Sequence, residues 1–242
     1  MTFWRMDLFF GLCFAAASVV YSSSPVLSVL GSENNNHICA FVAATNIASI
    51  PSFGNWSCDA SGHPLTDPCG PPSPWHGLAC ANASGLITDF AVSGYKLDIT
   101  GSLPSGLGGL TALRTLAIQQ CSLVGTLPST LGSLTLLEGL QLNLNSFTGT
   151  LPIALGCLSL LSFLSLGNNF ITGTIPSALG SLTQLTHLSL ADSCLSGSLP
   201  SVLGSLSGLA RLGLGYNCLT GTLPSSLGSL TLLEELELPS NC

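Results

Sequence analysis

Hydrophobic and polar positions recur with a period of 24 residues through residues 86–242. A proline marks the period six times, and a Leu-Gly pair follows each proline at a constant distance. The prolines are Pro104, Pro128, Pro152, Pro176, Pro200 and Pro224. A fixed period of this length is typical of a solenoid, in which one repeat cannot bury its apolar residues without its neighbours. We therefore expect one cooperative array of stacked coils.

Within one repeat, residues 134–157, the first apolar positions predict a short β-strand. Leu140 and Leu142 alternate with Gly139 and Gln141, which is the two-residue period of a strand with one buried face. So short a strand leaves its backbone N–H and C=O groups unpaired unless neighbouring coils supply partners. Identical coils stacked in register supply them as a parallel sheet.

A small polar residue follows each strand. In the same repeat it is Asn145, whose amide can donate to and accept from the backbone groups that the bend exposes. Pro152 then ends a second extended stretch, and Leu155 with Gly156 predicts a short helical turn on the convex side. The bend positions that we expect to form an inward-facing ladder are Cys121, Asn145, Asn169, Ser193, Asn217 and Asn241.

The repeating unit LxxLxLxxNxLxGxLPxxLGxLxx resembles the plant-specific class of extracellular leucine-rich repeats. That class includes the ectodomains of receptor-like kinases and receptor-like proteins, and the polygalacturonase-inhibiting proteins. The resemblance covers residues 86–242. It implies an α/β repeat fold, a right-handed curved solenoid with a parallel β-sheet on its concave face.

Residues 25–85, the N-terminal region and cap, precede the repeats. Within them, Asp67-Pro68-Cys69 together with Trp75-His76-Gly77-Leu78-Ala79-Cys80 resembles the N-terminal cap of that family. The segment carries four cysteines, Cys39, Cys58, Cys69 and Cys80. A cap shields the apolar open end of the first coil. The resemblance implies a disulfide between Cys69 and Cys80, with Cys39–Cys58 as the remaining pairing, and a short amphipathic helix within residues 37–50.

The N-terminus has the composition of a secretory signal peptide, which we assign to residues 1–24. Arg5 precedes an apolar run over residues 8–20, and this run is too short for the ~20 residues that span a bilayer. Export agrees with the ten cysteines of the chain and with glycosylation acceptors at Asn55 and Asn82. We therefore expect a secreted, extracellular protein, in the cell wall or at the outer face of the plasma membrane.

Charge narrows the possible partners. Only 6% of the residues are charged, the formal net charge is −7, and Lys and Arg together number four. Nucleic acids and anionic lipids are disfavoured as partners, because both are bound through many basic residues. No motif of a hydrolase, metalloprotease, redox enzyme or phosphate-binding loop occurs, so we expect no enzyme activity, no cofactor and no metal site.

The outward positions of the concave strands are mostly small and neutral, and a few larger side chains stand out. These candidate binding residues are Phe163, His187, Arg211, Tyr216 and Gln141. An exposed aromatic residue beside an arginine is typical of an interface anchor, although single exposed apolar residues are also ordinary on protein surfaces. The scarcity of charge favours a peptide, a glycan or a protein surface as the ligand.

Three functions are compatible with these features. The first is an extracellular recognition module, either free or as part of a receptor ectodomain. The second is an inhibitor of a secreted cell-wall hydrolase, and the third is a passive wall or matrix protein. Because the last repeat stops halfway, at Cys242, we expect a truncated chain whose longer form could carry a membrane span. Cys194, Cys218 and Cys242 share one repeat position, and we expect free thiols there.

Overall fold

Each 24-residue repeat forms one coil that consists of a short strand, a bend, a second short strand and a 3-10 turn. The computed structural model describes residues 37–49, 58–61, 63–64, 67–69, 77–81, 85–93 and 99–241. The assigned signal peptide, the glycosylation acceptors Asn55 and Asn82, and Cys242 lie outside the described residues.

The strands are numbered here in chain order. They are β1 (Leu78–Cys80), β2 (Ile87–Ser93), β3 (Thr100–Ser102), β4 (Thr115–Gln119), β5 (Ser122–Thr126), β6 (Gly139–Gln141), β7 (Ser146–Thr148), β8 (Phe163–Ser165), β9 (Thr172–Gly173), β10 (His187–Ser189), β11 (Cys194–Gly197), β12 (Arg211–Gly213), β13 (Cys218–Leu219) and β14 (Glu235–Glu237). Residues 37–44 are α-helical. The 3-10 turns are Ile47–Ser49, Ser105–Gly109, Ser129–Ser133, Ile153–Cys157, Ser177–Ser181, Ser201–Ser205 and Ser225–Ser229.

The concave face is an eight-stranded sheet in the order β1-β2-β4-β6-β8-β10-β12-β14. β1 is antiparallel to β2, and the other neighbours are parallel. Equivalent leucines pair across the sheet, so that Leu140 lies opposite Leu164 and Leu164 opposite Leu188. The predicted α/β leucine-rich-repeat solenoid with a parallel concave sheet is therefore confirmed.

A second set of strands runs along one flank of the solenoid. β3, β5 and β7 form one parallel sheet, β9, β11 and β13 form another, and a bridge between Thr150 and Thr172 connects the two. Paired residues are 22 positions apart, as in Thr126 and Thr148, so each strand is displaced along its neighbour by two residues per coil. The sequence predicted a second extended stretch but not its pairing into a sheet.

The interior is one continuous column of aliphatic side chains from the cap to Leu230. The predicted short helical turn is a 3-10 turn, which Pro152 precedes in extended conformation. Stacked turns touch closely, because a Cβ atom on Gly156 would lie 2.6 Å from the carbonyl oxygen of Ala178 in the next coil. Glycine therefore lets adjacent 3-10 turns approach closely enough to bury the leucines beside them.

The cap covers the open end of the first coil, as predicted. Disulfides join Cys39 to Cys58 and Cys69 to Cys80, which confirms both expected pairs. Phe41 is fully buried and meets Phe90 of β2 edge to face, with ring centroids 5.0 Å apart. The helix that carries Phe41 thus seals the aliphatic column, and an apolar end of the solenoid is kept from water.

Inward-facing asparagines connect each coil to the one before it. The Oδ1 atom of Asn169 accepts a hydrogen bond from Phe147 N, and its Nδ2 group donates to Leu142 O and Leu166 O. Leu142 O also accepts from Asn145 of its own coil, so one carbonyl joins successive asparagines. The same pattern recurs at Asn217 and Asn241. The predicted ladder is present, and it pairs backbone groups that the bends expose.

Two coils lack the asparagine. Cys121 is buried and donates through its thiol to Gln119 O. At Ser193 the hydroxyl is shielded from solvent and has no hydrogen-bond partner within the described residues. The Ser193 side chain is too short to reach the preceding coil as asparagine does, so the ladder is interrupted there.

Replacing Asn169 with alanine should destabilise the protein by about 3 kcal/mol, because three buried hydrogen bonds across and within coils are lost. Urea unfolding followed by circular dichroism measures the change. Asn168→Gly, at the adjacent exposed position with a φ of 55°, is the matched control, because glycine adopts this backbone conformation without strain. Equal stabilities of the two variants would contradict the role of the ladder.

Replacing Ser193 with asparagine should stabilise the protein by about 1 kcal/mol. The new amide would accept from Ile171 N and donate to Leu166 O and Leu190 O, by the geometry of the other coils. The melting temperature of Ser193→Asn should rise above that of both the wild type and Ser193→Ala. A lower melting temperature than that of the wild type would show that this bend cannot accept the ladder geometry.

Candidate functional site

The concave sheet brings four larger side chains into one row. Phe163, His187, Arg211 and Glu235 pair in register on β8, β10, β12 and β14. The neighbouring row on the same strands is small or acidic, and its members are Ser165, Ser189, Gly213 and Glu237. The first row, named here the concave row, therefore changes from aromatic to charged over four consecutive strands.

The aromatic end of the concave row is a stacked pair. The rings of Phe163 and His187 have centroids 5.2 Å apart and an interplanar angle of 26°. Both side chains are half-buried, so each keeps part of its surface in contact with solvent. A stacked aromatic pair loses little conformational entropy when a ligand covers it.

The tautomer of His187 depends on where the Thr186 hydroxyl directs its one proton. The hydroxyl lies 2.9 Å from Ser162 O and 2.8 Å from His187 Nδ1. We predict that it donates to Ser162 O and accepts from a protonated Nδ1. The other ring nitrogen, Nε2, is then an acceptor in the neutral imidazole and is available to a donor group of a ligand.

The charged end of the concave row is an ion pair. Arg211 Nε lies 3.3 Å from Glu235 Oε2, and both side chains are exposed. Such a pair contributes little to folding because water screens it. It orients the guanidinium over the sheet, however, and the terminal N–H groups of the guanidinium remain available as donors.

A groove of about 310 Å³ runs over these strands. The side chains of the concave row form part of its walls, and its floor includes Ser165, Ser189 and Gly213. A groove with an aromatic wall at one end and opposite charges at the other can hold an amphipathic, extended ligand.

Two predicted site residues lie apart from this groove. Gln141 is on β6, where its Oε1 atom accepts from Gln119 Nε2 at 2.6 Å. Tyr216 is exposed at the bend after β12, with a φ of 55°, and does not line the groove. The structure thus brings Phe163, His187 and Arg211 together. The assignment of all five residues to a binding site stays a prediction.

The flank sheets present a second surface that the sequence analysis missed. Each coil places hydroxyl side chains on both sides of its recurring glycine, and nearly all are exposed. The pairs are Thr100 and Ser102, Thr148 and Thr150, Thr172 and Thr174, Ser196 and Ser198, and Thr220 and Thr222, with Val124 and Thr126 in the remaining coil. This surface is named here the hydroxyl face. The recurring Thr-Gly-Thr string in residues 148–150, 172–174 and 220–222 is the signal in the sequence that could have found it.

Neither metal ligands nor a membrane-spanning helix is evident in the part of the chain that the structure describes. No three side chains of His, Cys, Asp or Glu cluster as a metal site would require within those ranges. No helix there is long and apolar enough to cross a bilayer. Cys194 and Cys218 are exposed free thiols, as expected.

The repeats and the fold are both similar to those of known proteins. The family model described as Leucine Rich Repeat matches residues 160–182, 184–206 and 208–230. The Arabidopsis receptor kinase HAESA, in complex with the peptide hormone IDA and the co-receptor SERK1, is 30% identical with a TM-score of 0.71, over 85% of this chain and 33% of that one. The chain carries leucine-rich repeats and is similar to the ectodomains of plant extracellular leucine-rich-repeat receptors.

Two further structures resemble this leucine-rich-repeat protein. The PEPR1–AtPEP1 complex gives 27% identity and a TM-score of 0.73 over 86% of this chain and 28% of that one. A plant ice-binding protein gives 25% identity and a TM-score of 0.68 over 86% of this chain and 71% of that one. This leucine-rich-repeat protein thus spans about a third or less of the two receptor chains. No curated protein sequence matches it.

The hydrogen bonds of this leucine-rich-repeat protein predict that neutral His187 is the Nδ1–H tautomer. Nitrogen-15 NMR of the imidazole at pH 8 should show a protonated Nδ1 and an unprotonated Nε2. Thr186→Val should remove this preference, because the acceptor of the Nδ1 proton is lost. An Nε2–H tautomer in the wild type would contradict the assignment.

Proposed function

We propose that this leucine-rich-repeat protein is a non-enzymatic extracellular recognition module that binds an extended peptide segment on its concave face. The in-register row of Phe163, His187, Arg211 and Glu235 is the observation that carries the proposal. It combines an apolar anchor with charged groups in one open groove, whereas most other outward positions of the sheet are small and neutral.

The dimensions of the concave row suit a short peptide. Three strand intervals separate Phe163 from Glu235, which is about 14 Å at the usual spacing of strands. An extended chain covers that distance with about four residues. We infer that an apolar side chain of the ligand packs on Phe163 and His187, and that polar groups of the ligand meet Arg211 and Glu235.

Related structures support a peptide rather than a glycan. HAESA is described with the peptide hormone IDA, and PEPR1 with AtPEP1. The two disulfides of the cap agree with the extracellular location that these ectodomains indicate. We propose the cell wall or the outer face of the plasma membrane as the place of action, with a receptor ectodomain as the larger context.

Panning a phage-displayed random peptide library against the full chain tests the proposal. Enriched clones should bind the wild type, and Phe163→Ala should weaken them by about tenfold or more, as expected for an aromatic anchor. Phe170→Ala is the matched control, because Phe170 is 57% exposed but lies away from the concave sheet.

Three results would contradict the concave row as the site. The first is the absence of any enriched clone with the folded wild type. The second is equal loss of binding in Phe163→Ala and Phe170→Ala. The third is a set of clones that bind both variants as tightly as the wild type, which would place the site elsewhere on the molecule.

We propose ice as a second candidate ligand, because the hydroxyl face repeats in two dimensions and carries no charged side chain. A plant ice-binding protein resembles this chain over most of both chains, which supports the candidate. The two functions need different surfaces, so one does not exclude the other.

A further inference from the structure

We propose that the hydroxyl face is the surface by which this chain adsorbs to ice, and that Thr148, Thr150 and Thr172 lie at its centre. This inference rests on the second candidate function and assigns a site to it. The argument uses the spacing, the rigidity and the charge of the face.

The hydroxyl face follows a two-dimensional grid. Strands in a parallel sheet lie about 4.8 Å apart, and alternate residues of one strand lie about 6.6 Å apart. The first distance is close to the oxygen repeat of hexagonal ice along its a axis, and the second is shorter than the repeat along its c axis. A surface with the first repeat can hold a row of water oxygens near lattice positions from coil to coil.

The register of the flank sheets keeps the hydroxyl groups on that grid. Residues that pair between neighbouring flank strands are 22 positions apart. The hydroxyl residue that follows the glycine of one coil therefore lies beside the hydroxyl residue that precedes the glycine of the next coil. Thr126 lies beside Thr148, and Thr150 lies beside Thr172. The hydroxyl groups therefore ascend diagonally across the grid, two per coil except where Val124 replaces one, over a width of about 24 Å for six coils.

Side-chain hydrogen bonds hold the grid rigid. The hydroxyl of Thr148 donates to Gly125 O at 3.2 Å, and that of Thr172 donates to Gly149 O at 3.1 Å. Ser196 makes the equivalent bond to Gly173 O at 3.4 Å. Threonine is also stiff about χ1, so Thr148 and Thr172 hold their hydroxyl and methyl groups in equivalent positions in successive coils. A preordered surface loses little entropy when it meets a crystal.

The chemistry of threonine suits an ice surface. Each hydroxyl whose proton is used by a glycine carbonyl still offers its lone pairs to water. The adjacent methyl group cannot form hydrogen bonds, so the water beside it bonds to other water molecules. This water can adopt an ordered arrangement, whereas water around an ion is oriented by the charge.

Charged side chains are segregated from this surface. Within the described residues 99–241, each charged residue lies in a concave strand or within three residues of one. They are Arg114, Glu138, Asp192, Arg211, Glu234, Glu235 and Glu237. Ions organise water around themselves and disrupt a lattice, so their confinement to the other face leaves the hydroxyl face suited to ice.

Ice assays with the purified full chain test the proposal. The wild type should inhibit ice recrystallisation and partition into a growing ice hemisphere. The double variant Thr150→Lys/Thr172→Lys puts two charges at adjacent grid points. It should raise the protein concentration needed to arrest recrystallisation by about tenfold or more.

The matched control is Thr135→Lys/Thr183→Lys. Both threonines are exposed and lie outside the flank sheets, so the control has the same change in charge without altering the grid. Circular dichroism and the melting temperature establish that both variants fold. The control should keep wild-type ice activity.

The possible failures are distinguishable. If the folded wild type neither inhibits recrystallisation nor enters ice, the second candidate function itself is wrong. If the wild type is active and Thr150→Lys/Thr172→Lys retains that activity, ice binding stands but the hydroxyl face is not its site. Equal loss in the test and control variants would show a general effect of charge and overturn the assignment.

Discussion

The structure depends on hydrogen bonds that one coil cannot make for itself. The bend after each concave strand exposes backbone groups toward the interior, and the asparagine of the next coil pairs with them. The leucines beside the bend are buried by the same stacking. The pairing of buried backbone groups and the burial of leucines therefore both require a neighbouring coil in register. Insertions or deletions within a coil would break both, which constrains the repeat length to 24 residues within the array.

That constraint leaves the two outer surfaces free to vary. Inward positions are mostly leucine and asparagine, while outward positions of the concave strands and of the flank strands belong neither to the aliphatic column nor to the ladder. The concave strands carry Phe163, His187 and Arg211, which line a local and irregular groove. The flank strands have kept threonine and serine in nearly every coil. An irregular surface suits one particular ligand, and a periodic surface suits a periodic one.

Much of this could be predicted from the sequence. The 24-residue period predicts the solenoid, the alternation around Leu140 predicts the concave sheet, and the bend position of Asn145 predicts the ladder. The register of the flank sheets could not be predicted, because its 22-residue pairing arises from the tilt of the strands and not from the repeat. Since the hydroxyl face depends on that register, the Thr-Gly-Thr strings alone did not predict a continuous surface. The repeat period predicts that Phe163 and His187 are neighbours, as their stacking shows. The tautomer of His187 could not be predicted from the sequence, because it depends on the position of the Thr186 hydroxyl.

The distribution of charge links the two surfaces. A solenoid with only 6% charged residues must keep its polar groups mostly neutral, and neutral hydroxyls and amides provide that polarity without ions. Within residues 99–241 the few charges lie on or beside the concave strands, where Arg211 and Glu235 pair across adjacent coils. Evenly scattered charges would have interrupted the grid of the hydroxyl face. They would also have removed the contrast between the aromatic and the charged end of the groove. Segregation therefore gives one fold two chemically distinct surfaces, an ion-bearing groove for a flexible ligand and an ion-free face for an ordered one.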